Sequence, residues 1–281
     1  MKILFPTDFS NASENAFIYS LKLAERLQAT ITVVHVYDVF ELHTWIEKST
    51  DMQDLNERVT LSEFELFRDR IEGLKRIAVE NHLTSIDVNY SLKESDMIVQ
   101  AILDEARDSS TDLIVIGTRG AAGLKEIFFG SIASKVMEKS PCPVFMVPDT
   151  TIYKGILKIG LTLEYKPGEL ALIEQSLAFV RRLGGHLYCL HVDALDPDVV
   201  KTKLQTYKQA FKEETDISFH THYDLDIEKG ILEYMKFNQV DVVVMSVHQQ
   251  SMLKELFSYS IAKRVAYHTD IPLLALHIED K

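Results

Sequence analysis

The chain has 281 residues, 46% hydrophobic and 26% charged, with a formal net charge of −12. That apolar fraction excludes a disordered polypeptide, and the length fits two domains, each able to bury a core. An acidic surface repels phosphate backbones, so no nucleic-acid partner is expected.

The opening Met1–Asp8 meets Pro6 and Asp8 too early for a secretory apolar region. No apolar run approaches the ~20 residues of a membrane helix. A soluble, cytoplasmic protein with no membrane partner is the expectation. Two cysteines, Cys142 and Cys189, allow neither a disulfide framework nor a four-cysteine zinc site, which fits a reducing compartment.

The chain contains an internal repeat. Residues 3–36 overlay 159–192 at an offset of 156, matching Phe9 with Tyr165 and His35-Val36 with His191-Val192. Residues 98–147 overlay 227–276 at an offset of 129, matching Asp112-Leu113-Ile114-Val115 with Asp241-Val242-Val243-Val244. The first copy is therefore longer between its two blocks, within about 37–85. In it, Lys2–Pro6, Thr30–Val36, Ile86–Leu92, Leu113–Gly117 and Val144–Val147 read as short buried strands. Ser13–Leu27, about Asp51–His82, Ser95–Arg107 and Ser131–Lys139 read as helices, with Ser10 or Asn11 capping the first. Phe64, Phe67, Ile71, Leu74 and Ala78 share one helix face, the pattern of core packing; Val200, Leu204, Tyr207 and Phe211 repeat it in copy two. Domains are expected at 1–148 and 155–281, with 148–155 as the linker.

Strand–helix alternation with near-continuous Val, Ile and Leu strands predicts two tandem, doubly wound α/β domains, each on a parallel five-stranded sheet. Such sheets bind ligands beyond the carboxyl ends of their strands, at the reversal of strand order. One segment there carries chemistry. After the strand ending at Ile116 come Gly117-Thr118-Arg119-Gly120, nine residues, and Gly130-Ser131 opening a helix. Glycines let backbone approach an anion, helix-start N–H groups favour negative charge, Ser131 adds a hydroxyl and Arg119 a cation. An ordinary turn before a Ser-capped helix is the alternative. Neither a Walker loop nor G-x-G-x-x-G after the first strand is present.

The opening Ile3-Leu4-Phe5-Pro6-Thr7-Asp8-Phe9-Ser10 carries a wider resemblance, together with His35-Val36, Gly117-x-x-Gly120 with nine residues before Gly130-Ser131, and Ser140-Pro141-Cys142-Pro143-Val144. With these motifs the sequence resembles the universal stress protein family in its tandem form. The resemblance implies Rossmann-like domains of the adenine nucleotide alpha hydrolase-like kind, packed as an internal pseudo-dimer through their last strands. It also implies ATP as ligand, with ADP or AMP as alternatives and Mg²⁺ as a companion. Asp8 would contact the nucleoside, the Val36 backbone adenine and Gly117 the ribose; Gly120, Gly130, Ser131 and Ile132 would hold phosphates. Pro6, Thr7 and Ile116 belong to the same strand ends.

Copy two departs from this pattern: Glu164 replaces Asp8, Ser246 Gly117, Gln249 Gly120 and Tyr259 Gly130, while Ser260 is kept. Side chains at three former glycines predict a lost phosphate path. Cys189 and His191 on one strand, with His220 and His222 on the next, are candidate zinc ligands, although His35 opposite His191 favours a structural role. Cys142 reads as a small buried apolar residue, and Phe40 and Trp45 as part of a loop or lid. No G-x-S-x-G, H-E-x-x-H or recognisable carboxylate pair is present. The expectation is an ATP-binding regulatory or stress-response protein with one site, in copy one. An unknown protein partner and homodimerisation fit that role. A scaffold or small-ligand carrier, and a slow ATPase timer, remain the alternatives.

Overall fold

The computed structural model describes residues 1–38, 52–118, 130–166, 168–193, 197–248 and 271–278. The chain divides into two compact units, Met1–Asp149 and Thr150–Lys281. Among the described residues no helix is long and apolar enough to cross a membrane.

Unit 1 runs β1 (Lys2–Pro6), α1 (Asn11–Leu27), β2 (Thr30–Tyr37), α2 (Met52–Glu80), β3 (Val88–Glu94), α3 (Ile98–Asp108), β4 (Leu113–Gly117), α4 (Ser131–Lys139) and β5 (Val144–Val147). Its strands lie in the order β3-β2-β1-β4-β5, and the described pairings are parallel. Unit 2 repeats the plan with β6 (Lys158–Thr162), α5 (Glu169–Leu183), β7 (His186–Asp193), α6 (Pro197–Ala210), β8 (Ile217–Tyr223), α7 (Ile227–Phe237), β9 (Val242–His248) and β10 (Leu273–Ile278). Its order is β8-β7-β6-β9-β10. In each unit the order reverses beside the first strand, between β1 and β4 and between β6 and β9. That reversal opens a crevice at the carboxyl ends. The central strands bury both faces, as Ile3, Leu4, Phe5 and Leu113 to Val115 show, because helices cover each side of a parallel sheet.

The expected elements form, with shifted ends. Ser10 caps α1, its side chain accepting the Ser13 N–H. The third strand occupies 88–94 rather than 86–92, its pairing with β2 running from Ile31–Val88 to Tyr37–Glu94. Helix α3 starts at Ile98, not Ser95, because the Ser95 N–H bonds the Tyr37 carbonyl and its hydroxyl accepts the Met97 N–H, closing a turn first. The length difference between copies includes the second helix, 29 residues in α2 against 14 in α6. The α2 stripe is only partly core: Phe67 and Leu74 are buried, whereas Phe64 is 57% exposed. Leu61 and Leu66 beside it are exposed as well, at 65% and 49%.

One repeated aspartate ties the strand starts together. Asp112 accepts the Lys2 N–H at 2.7 Å, and Lys2 Nζ reaches the Ser109 carbonyl at 2.8 Å. In unit 2 Asp241 accepts the N–H groups of Leu157 and Lys158 at 2.9 and 2.8 Å, and Lys158 Nζ reaches Asn238 O. The repeated Asp and Lys thus fix the register of β1 on β4 and of β6 on β9.

Core volume, by contrast, has been exchanged between copies. A Cβ on Gly160 would meet Met235 Sδ at 2.5 Å. At the matching positions unit 1 has Leu4 and Ala106, both buried, so large and small change places. Gly160→Leu should destabilise the protein by about 1–3 kcal/mol through overpacking. Adding Met235→Ala should recover part of that loss, as measured by urea unfolding of both variants.

Candidate nucleotide site

The carboxyl end of β1 is shaped by a sharp turn. Phe9 sits at φ 57°, left-handed backbone that a bulky residue rarely adopts. It is held by its N–H donating to Thr7 Oγ1 at 3.0 Å and by its ring, 4.9 Å from that of His35 and 6.0 Å from that of Phe67. His35 Nδ1–H donates to the Thr7 carbonyl at 2.8 Å, and the Thr7 hydroxyl bonds that of Ser13 at 2.7 Å. A β2 imidazole, an α1 hydroxyl and an α2 ring therefore converge on three residues after β1. The outcome is the placement of Asp8, exposed at the rim. Its Oδ1 accepts the Ser10 N–H at 3.0 Å and the Ser10 hydroxyl at 2.7 Å.

Pro6 and Thr7 are buried under this rim, with Ile116 and Val36 on the neighbouring strands β4 and β2. Gly117 ends β4, where a Cβ would lie 3.3 Å from the Ala12 carbonyl oxygen. Close passage of α1 thus favours glycine here independently of any ligand. The Thr118 carbonyl accepts the Gly130 N–H, so the two ends of the glycine loop are joined. Arg119 and Gly120 lie outside the described residues, as do Phe40 and Trp45. Gly130 is the N-cap of α4 and supplies no side-chain cap. Ser131 and Ile132, in the first turn, are exposed. Backbone N–H groups at such a helix start are left for solvent or an anion. Asp8, Val36, Gly117 and the α4 start thus belong to one edge of unit 1, around its strand-order reversal. A carboxylate at one part of this edge and helix-start donors at another suit a ligand with a sugar and an anionic tail.

Unit 2 repeats the turn with different chemistry. Tyr165 takes φ 56°, and His191 Nδ1–H donates to the Leu163 carbonyl at 2.8 Å. Where unit 1 has Ser13, unit 2 buries Glu169 in the first turn of α5. Its carboxylate accepts the Glu164 N–H at 2.6 Å and the Tyr207 hydroxyl at 3.2 Å. Burial pushes the Glu169 carboxyl above the usual carboxylate range despite those donors. Burial likewise pushes the Tyr165 phenol up to about 12 and raises the Cys189 thiol. Glu164 pairs with Lys166 at 2.9 Å. The strand ends of unit 2 enclose a cavity of about 220 Å³ lined by Glu164, His191, Val192, Ile231, Met245 and Ser246 among others. Space thus persists at the strand-end part of the second unit. Gln249, Tyr259 and Ser260, on which the expected loss of the phosphate path rests, lie outside the described residues.

The four candidate zinc ligands do not come together. Register pairs Cys189 with Phe219 and His191 with Thr221, whereas His220 and His222 pair with Leu190 and Val192. Side chains alternate along each strand, so Cys189 and His191 face one side of the sheet and His220 and His222 the other. His191 serves its carbonyl. His220 Nε2 bonds the Ser218 hydroxyl, and its ring lies near those of Tyr188 and Tyr234. Burial raises the Cys142 thiol above its ordinary value, against the lowering effect of its hydrogen bond with Ser140.

Sequence reasoning did not find the left-handed turn at Phe9 and Tyr165, the Asp8–Ser10 clasp or the buried Glu169. The Asp-Phe-Ser spacing was the available signal for the clasp, since short polar side chains two residues apart close such turns. For Glu169 the signal was its match with Ser13.

This fold defines a tandem, doubly wound α/β protein with a strand-end crevice in each unit. The universal stress protein family model matches residues 1–148 and again 158–277; the chain belongs to the universal stress protein family. Universal stress protein MJ0577 of Methanocaldococcus jannaschii is 34% identical over 155 residues, covering 52% of this chain and 93% of that protein. Stress response protein NhaX of Bacillus subtilis is 29% identical, covering 52% and 96%. A universal stress protein from Archaeoglobus fulgidus matches over 98% of both chains with a TM-score of 0.74 at 18% identity, so the tandem fold recurs there.

The raised Glu169 pKa has a defined sign. The folded state binds the proton more tightly than the unfolded one, so this group's contribution falls as pH rises from the ordinary carboxyl value, ~4.3, through the folded value. Glu169→Gln should therefore be more stable than the wild type at pH 8. The difference should shrink towards pH 4, as followed by thermal melts across that range.

Proposed function

We propose that the chain is a cytoplasmic, ATP-binding regulatory protein of the stress response, with one nucleotide site in unit 1. The site comprises Pro6, Thr7, Asp8, Val36, Ile116, Gly117, Arg119, Gly120, Gly130, Ser131 and Ile132. Asp8 receives the sugar, the Val36 backbone meets adenine, and the glycine loop with the α4 start takes the phosphates. Mg²⁺ would accompany the phosphates, and ADP or AMP fit the same donors.

The observation that carries this reading is the joining of Thr118 to Gly130 at the strand-order reversal. It keeps the start of α4 on the same edge as Asp8, whose carboxylate Ser10 orients. Loop glycines and family membership support it. Binding rather than turnover is proposed, since Asp8 belongs to the sugar end, away from any attack on a phosphoryl group. Unit 2 lacks the loop glycines, yet its strand-end cavity favours a second role for that half. At about 220 Å³ it falls below the roughly 300–1,000 Å³ of drug-sized sites, so it suits a small, phosphate-free ligand.

The first test is the adenine nucleotide content of purified, acid-denatured protein, followed by ATP titration calorimetry. About one site per chain is expected. Gly130→Tyr, which copies the residue of unit 2, should abolish ATP binding with an unchanged circular dichroism spectrum. Asp8→Ala should weaken ATP and adenosine alike by about tenfold or more, the worth of a hydrogen bond to a charged group. ATP affinity unaltered by Gly130→Tyr would refute the site.

A further inference from the structure

A second cluster of ligating groups lies on unit 2, at the end of β8 and against α7. The donor atoms of His222, Asp224 and Glu233 lie within 4.8 Å of one another. They come from three places: the last turn of strand β8, the loop after it, and the second turn of α7. We propose that these three residues bind a divalent transition ion of the zinc class. One imidazole nitrogen and two carboxylate oxygens suit Zn²⁺ better than Mg²⁺ or Ca²⁺, which prefer oxygen alone. Three protein ligands leave a position for water.

Three features of the surroundings support the assignment. First, Asp224 is oriented: its Oδ1 accepts the Asp226 N–H at 2.9 Å, the kind of outer support that aims a metal ligand. Second, a cation already stands between the carboxylates. Lys229 Nζ donates to Asp224 Oδ2 at 3.4 Å and lies 3.7 Å from Glu233 Oε1, so the two carboxylates already share one positive charge, which the metal ion would replace. Third, Gly230 lets the helix approach. A Cβ there would meet Val192 Cγ1 at 2.8 Å, Asp224 Cβ at 3.1 Å and His222 Cδ2 at 3.2 Å, so glycine keeps α7 close to two of the three ligand residues.

The other copy sharpens the contrast. At the positions of His222, Asp224, Glu233 and Gly230, unit 1 has Lys93, Ser95, Asp104 and Ala101. There Lys93 is paired with Glu105 at 2.8 Å, and Asp104 with Arg107 at 2.7 Å. Both places hold ion pairs, but only unit 2 sets an imidazole beside two carboxylates. The cluster is separate from the nucleotide site of unit 1 and does not depend on it.

The test is calorimetric titration of the full chain, freed of nucleotide and metal, with Zn²⁺ and with Mg²⁺. Saturable Zn²⁺ binding without a Mg²⁺ response is expected. His222→Ala and Glu233→Gln should each weaken Zn²⁺ roughly ten- to a hundredfold or more, with unchanged thermal melts in the absence of metal. Lys229→Met should tighten Zn²⁺ about two- to fivefold by removing the competing ammonium, an effect that adventitious binding at other histidines would not show. Should His222→Ala fail to fold, His222→Gln with Glu233→Gln gives the same reading. Zn²⁺ affinity unchanged in both ligand variants, or absent from the wild type and from Lys229→Met, would overturn the proposal.

Discussion

The structure of each unit's strand-end crevice depends on one hydrogen bond, from a β2-type imidazole to the carbonyl that follows the first strand. His35 makes it to Thr7 and His191 to Leu163, both at 2.8 Å. A backbone carbonyl just beyond a buried strand needs a partner, and an orphan there costs about 1–3 kcal/mol. Satisfying it with a side chain from the adjacent strand frees the main chain to turn at once through the left-handed region, at Phe9 or Tyr165. In unit 1 that turn launches α1 from its Ser10 cap and leaves Asp8 at the rim. A flatter exit would carry the chain across the crevice.

The aromatic residues explain why this turn persists. A non-glycine residue in left-handed backbone costs on the order of 1–3 kcal/mol. Packing of the Phe9 ring near His35 and Phe67 offsets that cost, as Tyr165 does near His191 and Tyr207. The second helix thus reaches the crevice through a single buried aromatic, Phe67 or Tyr207. Its remaining length is free to differ between copies.

Much of this could be read before any coordinates. Apolar runs and helical spacing marked the strands and helices because burial on both sheet faces leaves little alternative at positions such as Ile3 to Phe5. The repeat marked Asp112 with Asp241 and His35 with His191, and each pair performs the same hydrogen bonding in both units. Asp8, Val36 and Gly117 fell at strand ends because strand length alone determines them. Less legible was anything decided between strands. The opposition of Cys189 and His191 to His220 and His222 depends on a register that one residue of slip would reverse. The exposure of Phe64 is not written in the helical spacing it shares with the buried Phe67 and Leu74. Glu169 gave no sign of burial in its own segment, since a glutamate in a first helical turn is ordinarily solvated and favourable to the dipole.

Divergence between the copies follows from what the backbone does not constrain. Both units keep the imidazole bond and the aspartate that joins first and fourth strands, because losing either would unseat the crevice or the register. Around those points the side chains have drifted in opposite directions. Unit 1 surrounds its turn with Phe9, Phe67 and the Thr7–Ser13 hydroxyl pair, groups that carry no charge, and leaves Asp8 as the carboxylate at the rim. Unit 2 places Glu169, Tyr165, Tyr207 and Cys189 there instead, and engages Glu164 with Lys166. A carboxylate engaged by a neighbouring lysine is less available to a ligand's hydroxyls than one aimed by a serine. The buried Glu169 carboxyl stands where unit 1 has the Ser13 hydroxyl, and it accepts the Glu164 N–H. The two crevices therefore differ in their electrostatics as well as in their loop glycines, although the same backbone turn shapes both.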